Sequence, residues 1–247
     1  MDLQTFFTEN PRAAIAFSGG VDSAYLLYAA VRAGADVCAY YVQSEFQPAF
    51  ERRDAQRLAR EVGARLRVLQ VSVLCTPGVR ENPPERCYFC KKAIFAAIAA
   101  AAREDGYTLL LDGTNASDDA ADRPGMRALR ELSVRSPLRE CALTKAEIRE
   151  ASRTAGLFTW DKPAYACLAT RIPAGERITP EKLAATERAE DYLFSLGFTD
   201  FRVRNAAGAA KIQLPAAQWA RLAEHRAEIL NFLRQDYTAV TLDLEVR

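Results

Sequence analysis

Six residues near the N-terminus, Ser18-Gly19-Gly20-Val21-Asp22-Ser23, are the first place in this chain where residue types and spacing point to chemistry. Glycines at a turn permit positive φ and let backbone N–H groups close on an anion. A helix starting just beyond them adds the partial positive charge of its N-terminus. The hydroxyls of Ser18 and Ser23 can donate to phosphate oxygens. Asp22 is a poor neighbour for phosphate alone, and makes sense as the holder of a Mg²⁺ that bridges phosphates. The full string reads as a nucleotide phosphate loop rather than a plain glycine turn. It is not a Walker A loop, because no GK[ST] follows.

The other candidates are cysteines and arginines. Cys87-Tyr-Phe-Cys90 is a CxxC, a spacing that lets two thiolates grip one metal centre. Arg86, Lys91 and Lys92 beside it favour thiolates electrostatically. Cys167 stands four residues before Arg171. Arg202 and Arg204, at i and i+2 of a strand, turn both guanidiniums to one side and can fork onto a phosphate; an exposed strand face is the plainer alternative. Cys38 reads as core and Cys141 precedes a helix. His225, the only histidine, reads as an exposed helix residue. Asp118 or Asp119 would assist Mg²⁺ or simply face solvent.

These residues need elements to place them. Ala13–Phe17, Asp36–Val42, Arg65–Val71 and Tyr107–Leu111 read as strands. Ser23–Ala33, Ala49–Val62 and Lys91–Arg103 read as the helices between them. Strands alternating with helices predict a parallel sheet covered on both faces. Residues 75–86, with three prolines and a glycine, read as a loop, and 112–125 as a second polar loop. A capping box, Thr144 to Glu147, opens a helix over Lys145–Ala155. A long irregular segment, 157–179, carries Cys167. Beyond it the character changes: a helix over Pro180–Leu196, a strand pair at Phe201–Arg204 and Ala210–Leu214, one helix over Pro215–Arg234 and a last strand over Tyr237–Val246. The fold class is therefore α/β, a Rossmann-like domain over residues 1–178 with a small α+β domain over 179–247.

Composition narrows the partners. Lys+Arg total 33 against 32 for Asp+Glu, so no global basic field holds a long nucleic acid. No signal peptide and no run of apolar residues long enough to span a bilayer is visible, which predicts a cytoplasmic protein without a membrane partner. In that reducing compartment six cysteines read as metal-binding, catalytic or core residues rather than disulfides.

The SGGVDS string resembles the PP-loop of the ATP pyrophosphatase superfamily, whose members cleave ATP between the α and β phosphates and form adenylates. Five strings in order narrow the resemblance. They are Arg86-Cys-Tyr-Phe-Cys-Lys91; Asp112-Gly-Thr-Asn115 with the run to Arg130; Ser136-Pro-Leu-Arg139 with Leu143–Arg149; Trp160-Asp-Lys-Pro163 with Ala166–Pro173; and Phe201-Arg-Val-Arg204. Over nearly the whole chain they resemble the LarE family, the sulfur transferases of nickel-pincer nucleotide biosynthesis. One departure is an inserted serine, GTNASDD where the family pattern is GTNADD.

The resemblance implies ATP, Mg²⁺ and a small-molecule nucleotide substrate, pyridinium-3,5-biscarboxylic acid mononucleotide, with a ring-like homo-oligomer as the assembly. One carboxylate is adenylated and then becomes a thiocarboxylate. Arg171 would steady the adenylate, Arg202 and Arg204 would clamp the substrate phosphate, and Trp160 or Tyr165 would stack on the pyridinium or serve only as packing. Cys167 holds the sulfur-donor position. Either its thiolate attacks the adenylate and is lost by β-elimination, or Cys87, Cys90 and Cys167 hold a [4Fe–4S] cluster whose fourth iron carries sulfide from an outside source. The CxxC favours the cluster; zinc, with Cys75 as a further ligand, and an idle pair are the alternatives. Two other functions compete. A tRNA-thiolating enzyme of the same superfamily predicts a basic RNA-binding domain, which is not seen. A non-catalytic nucleotide sensor would bind ATP without releasing pyrophosphate.

Overall fold

The computed structural model of the chain describes residues 1–118 and 124–245. They divide into two units, one made of residues 1–79 and 85–162, the other of residues 80–84 and 163–247.

The first unit runs α1 (Leu3–Glu9), β1 (Arg12–Ala16), α2 (Val21–Arg32), β2 (Asp36–Gln43), α3 (Ala49–Glu61), β3 (Arg65–Gln70), α4 (Arg86–Glu104), β4 (Leu110–Leu111), α5 (Pro124–Glu131), α6 (Pro137–Glu140) and α7 (Lys145–Thr154). The sheet order is β3-β2-β1-β4, and every pairing is parallel. Alternate residues of β1 and β2 enter opposite cores: Ala13, Ile15, Val37 and Ala39 one, Ala14, Cys38 and Tyr40 the other. That is why these strands read as unbroken apolar runs. Leu26 and Leu27 of α2 are fully buried, each contributing about 1.5–3 kcal/mol of apolar burial. Chain order reverses between β1 and β4, so the loops leaving their carboxyl ends flank the switch point where doubly wound sheets bind ligands.

The second unit contains a one-turn 3₁₀ helix (Leu168–Arg171), α8 (Pro180–Ser195), β5 (Arg202–Ala206), β6 (Ala209–Gln213), α9 (Trp219–Glu224), α10 (Arg226–Leu233) and β7 (Ala239–Leu242). β5 pairs antiparallel with β6 and β6 parallel with β7. Its own core is built on Leu193, Phe198, Phe201, Val203, Ile212 and Leu233.

Several boundaries differ from the sequence reading. The helix expected from Lys91 begins at Arg86, straight after Pro83-Pro84-Glu85, so the CxxC lies within it. The helix expected over Pro215–Arg234 is broken at His225, which ends α9 and starts α10. His225 is half-buried, paired with Glu228 and edge-on to Phe198 at 6.1 Å. The irregular segment 163–178, assigned from sequence to the first domain, belongs with the second unit. Its hydrogen bonds explain why: Gly175 N–H donates to Asn82 O, and Arg171 pairs with Glu190. Helix α1 had no counterpart in the reading of the sequence; Asp2 caps it by accepting from Thr5 N–H at 2.8 Å.

Candidate active site

The phosphate loop spans the turn from β1 to α2. Gly19 has φ +75°, a conformation only glycine adopts cheaply, and a Cβ there would stand 3.3 Å from that of Ala55 on α3. No side chain caps the α2 N-terminus at Gly20, which leaves the first N–H groups of the helix without a side-chain cap, as a helix-terminus anion site requires. Ser18 Oγ and Ser23 Oγ lie 3.1 Å apart, and Ser23 Oγ donates to Gly20 O. Val21 is buried and anchors the turn to the core.

Asp22 sits in the first turn of α2. Its Oδ2 accepts from Lys145 Nζ at 2.6 Å and its Oδ1 from Asn115 Nδ2 at 3.3 Å. Both partners come from distant elements. Asn115 belongs to the loop after β4 and is 2% exposed. Lys145 is the first residue of α7, whose capping box the structure contains as expected. Gly113 lets the two loops meet: a Cβ on it would fall 2.8 Å from Ser23 N. Buried Asp112 braces the same loop by accepting from Thr114 Oγ1 at 2.5 Å and Ser136 Oγ at 2.6 Å. Asp118, considered for Mg²⁺, accepts from Asn115 N–H at 2.9 Å and so closes this turn. Asp119 lies outside the described residues.

A second cation stands on the other side of the loop. Lys162 Nζ is 2.6 Å from Asp54 Oδ2 and 3.4 Å from Gly19 O, and it lies over the Phe50 ring. Lys162 ends the Trp160–Lys162 stretch, which Arg149 holds through the carbonyls of Trp160 and Lys162. Trp160 itself is 39% exposed. The sequence reading missed Lys145, Asn115, Gly113, Asp54 and Lys162 as neighbours of the phosphate loop. All but Asp54 stood inside the quoted strings, so the signal was there without the pairing.

The CxxC occupies the first turns of α4. Cys87 is exposed and Cys90 is buried, and at i, i+3 the two are neighbours along the helix surface. Cys38 lies in the sheet core, where burial pushes its thiol up, and burial does the same for half-buried Cys141. Among the described residues, no three His, Cys, Asp or Glu side chains form a group able to hold a metal ion.

Cys167 belongs to the second unit, half-buried at the start of the 3₁₀ turn. Arg171, four residues on, is 1% exposed and paired with Glu190 at 2.7 Å. Arg202 and Arg204 share one face of β5, as their spacing required. Arg202 donates to the carbonyls of Phe201 and Ala164, and Arg204 to Thr170 O and Gln213 Oε1. Both guanidiniums therefore hold backbone of the segment around Cys167.

The sequence profile of the queuosine biosynthesis protein QueC matches residues 12–79, the stretch from β1 past β3 that contains the phosphate loop. An uncharacterized protein of Synechocystis sp. is 38% identical over 248 residues, 99% of this chain and 92% of that protein. Pyridinium-3,5-bisthiocarboxylic acid mononucleotide synthase of Lactiplantibacillus plantarum is 34% identical over 209 residues, 84% of this chain and 76% of that protein. An uncharacterized protein of Methanocaldococcus jannaschii is 27% identical over 238 residues, 96% of this chain and 91% of that protein. A phosphate loop at the switch point of a four-stranded parallel sheet, matched by these relatives, defines a PP-loop enzyme. The chain belongs to the LarE family of ATP-using sulfurtransferases. No helix of the described residues is long and apolar enough to cross a membrane.

Proposed function

We propose that the chain adenylates a carboxylate of pyridinium-3,5-biscarboxylic acid mononucleotide and converts it to a thiocarboxylate. The carrying observation is the uncapped α2 N-terminus between Gly19 and Asp22, in a chain 34% identical to a synthase named for the thiolated product. A substrate carboxylate oxygen attacks the α-phosphorus of ATP and pyrophosphate leaves. The loop N–H groups, Ser18 and Ser23 meet the phosphate oxygens, Asp22 holds the Mg²⁺ that enters with ATP, and Lys145 and Lys162 stand ready as counter-charges. A carboxylate is a poor electrophile, and AMP gives its carbon a leaving group. A sulfur nucleophile then adds at that carbon and AMP departs. Arg171, expected at the adenylate, is instead buried and engaged by Glu190, Ala166 O and Thr170 Oγ1, so it orders the segment around Cys167, and Arg202 with Arg204 receives the substrate phosphate.

Thiolate donors suit iron, so the donor chemistry of Cys87, Cys90 and Cys167 fits a [4Fe–4S] cluster. Such a cluster would supply sulfide on the one iron without a protein ligand. In a second reading, Cys167, half-buried at the start of its 3₁₀ turn, donates the sulfur from its own thiolate and is left as dehydroalanine. In both readings the protein acts in the cytoplasm as a homo-oligomer. The test is anaerobic incubation with Mg-ATP, the biscarboxylate mononucleotide and sulfide, following pyrophosphate and product mass. ATP bound without pyrophosphate release would return the chain to the class of nucleotide sensors.

A further inference from the structure

A charged residue in the middle of a helix belongs on its solvent face, yet Glu190 of α8 is 1% exposed. Its carboxylate is fully used. Oε1 accepts from Arg171 Nε at 2.7 Å and from Val203 N–H at 2.9 Å. Oε2 accepts from an Arg171 terminal nitrogen at 3.1 Å and from the Tyr165 hydroxyl. Arg171, 1% exposed, passes the connection on: its other terminal nitrogen donates to Ala166 O at 2.9 Å and Thr170 Oγ1 at 2.8 Å. Thr170 in turn donates to Cys167 O from Oγ1 at 2.8 Å and from its N–H at 2.9 Å. The Tyr165 ring faces the guanidiniums of Arg171 and Arg202 at 4.6 and 5.2 Å. Arg202 holds Ala164 O and Arg204 holds Thr170 O.

The carbonyls of residues 164, 166, 167 and 170 are thus all held by side chains, and one carboxylate sits at the root of the network. Stability alone does not call for a buried ion pair here, because well-packed apolar residues do as well or better in such places. What charge and forked geometry supply is a single conformation.

We propose that Glu190 is the positioning residue for Cys167, fixing through Arg171 and Thr170 the direction in which the Cys167 sulfur is presented. The proposal rests on the reading of Cys167 as the place where sulfur meets the activated substrate, and applies whether Cys167 donates sulfur or ligates a cluster. Glu190 touches no reacting atom; it sets the geometry of the residue that does.

The test uses Glu190→Gln, which keeps shape but loses the charge-assisted fork, and Thr170→Val, which cuts the connection nearer Cys167 without touching the buried pair. Three readouts are taken on the full chain. ATP–pyrophosphate exchange reports the phosphate loop. Thiocarboxylate formation reports sulfur transfer. The rate of Cys167 alkylation by iodoacetamide, followed by peptide mass spectrometry with exposed Cys75 and Cys87 as internal references, reports presentation of the thiol. Exchange stays at the wild-type rate in both variants. Transfer falls about 10- to 100-fold in its first-turnover rate constant, with the substrate concentration giving half-maximal rate little changed, and the Cys167 alkylation rate shifts about threefold or more relative to the references. Wild-type transfer or an unshifted alkylation ratio in a folded Glu190→Gln and in Thr170→Val overturns the proposal. If Glu190→Gln does not fold, Thr170→Val decides by the same two readouts. Absence of exchange in the wild-type chain is a different failure: it strikes the reading of the phosphate loop, while the alkylation ratio still judges Glu190.

Discussion

Lys145 Nζ stands 2.6 Å from Asp22 Oδ2, so the carboxylate of the phosphate loop has an ammonium supplied by a helix far along the chain. The two side chains are 35% and 23% exposed, and a pair that open contributes at most about 1 kcal/mol to folding. Its use therefore lies in the site. Asp22→Ala is expected to lower ATP-dependent pyrophosphate release by ~100-fold or more while the melting temperature moves by only a few degrees. Wild-type release in that variant would remove the assignment of the loop.

Gly113 is the contact point of the two loops at the switch point. A methyl group there meets Ser23 N at 2.8 Å, a backbone atom that cannot swing aside. Gly113→Ala is expected to cost about 1–3 kcal/mol in urea unfolding and to weaken ATP binding in parallel. A stable variant with full affinity would show that the approach is looser than described.

Arg202→Ala with Arg204→Ala should weaken substrate binding on the order of a hundredfold, since charged hydrogen bonds contribute about 1.5–3 kcal/mol each. ATP affinity, a property of the other unit, should not change. The double variant should also melt earlier, because Arg202 and Arg204 hold the carbonyls of Ala164 and Thr170. Calorimetric titration with the mononucleotide and with ATP separates the two effects.

For the sulfur source, anaerobically reconstituted protein should carry about four irons per chain and turn over repeatedly with sulfide. Each of Cys87→Ala, Cys90→Ala and Cys167→Ala should lower iron content, and an iron chelator should stop sulfur transfer but not ATP–pyrophosphate exchange. The sacrificial reading expects the reverse: one product per chain, a loss of about 34 Da at Cys167 and indifference to the CxxC substitutions.

The Arg12 guanidinium beside Asp36, with the Tyr107 hydroxyl and Arg65, holds the Asp36 carboxyl below its ordinary value. A depressed folded-state value means stability that is present above the unfolded carboxylate range and is lost as pH falls through the folded value. Asp36→Asn should therefore be less stable than wild type at neutral pH, with the gap closing in acid. A gap constant from neutral pH down to about pH 2 would mean the ion pairs contribute nothing.

Much of the first unit could be read directly. Strand–SGGVDS–helix is a local pattern, and AAIAF is apolar on both faces because both faces are covered. The site's partners were not legible in the same way. Asp22 and Lys145 are 123 positions apart, and Asp22 and Asn115 93, so only the sheet order brings them together. Arg202 and Arg204 were read correctly as sharing a face. What that face meets depends on how the 163–171 segment returns to it, and no periodicity encodes that. Glu190 was invisible for a different reason: a glutamate in a helix gives no sign of burial until its partners are known. The helix that carries the CxxC starts at Arg86 and not at Lys91, because Pro83 and Pro84 lie just ahead of its N-cap Glu85 and end the loop there.

The break at His225 gives the second unit a built-in reporter. The chain has one imidazole, and it stands between α9 and α10 against Glu228 and the edge of Phe198. Its proton resonances are expected as a single set, shifted by the Phe198 ring. They follow the integrity of that unit through any titration without isotope labelling. Diethyl pyrocarbonate, which prefers imidazole, likewise marks one known place. Because that place lies outside the phosphate loop, loss of its signal under denaturant or on substitution at Glu190 separates unfolding of the second unit from loss of chemistry in the first.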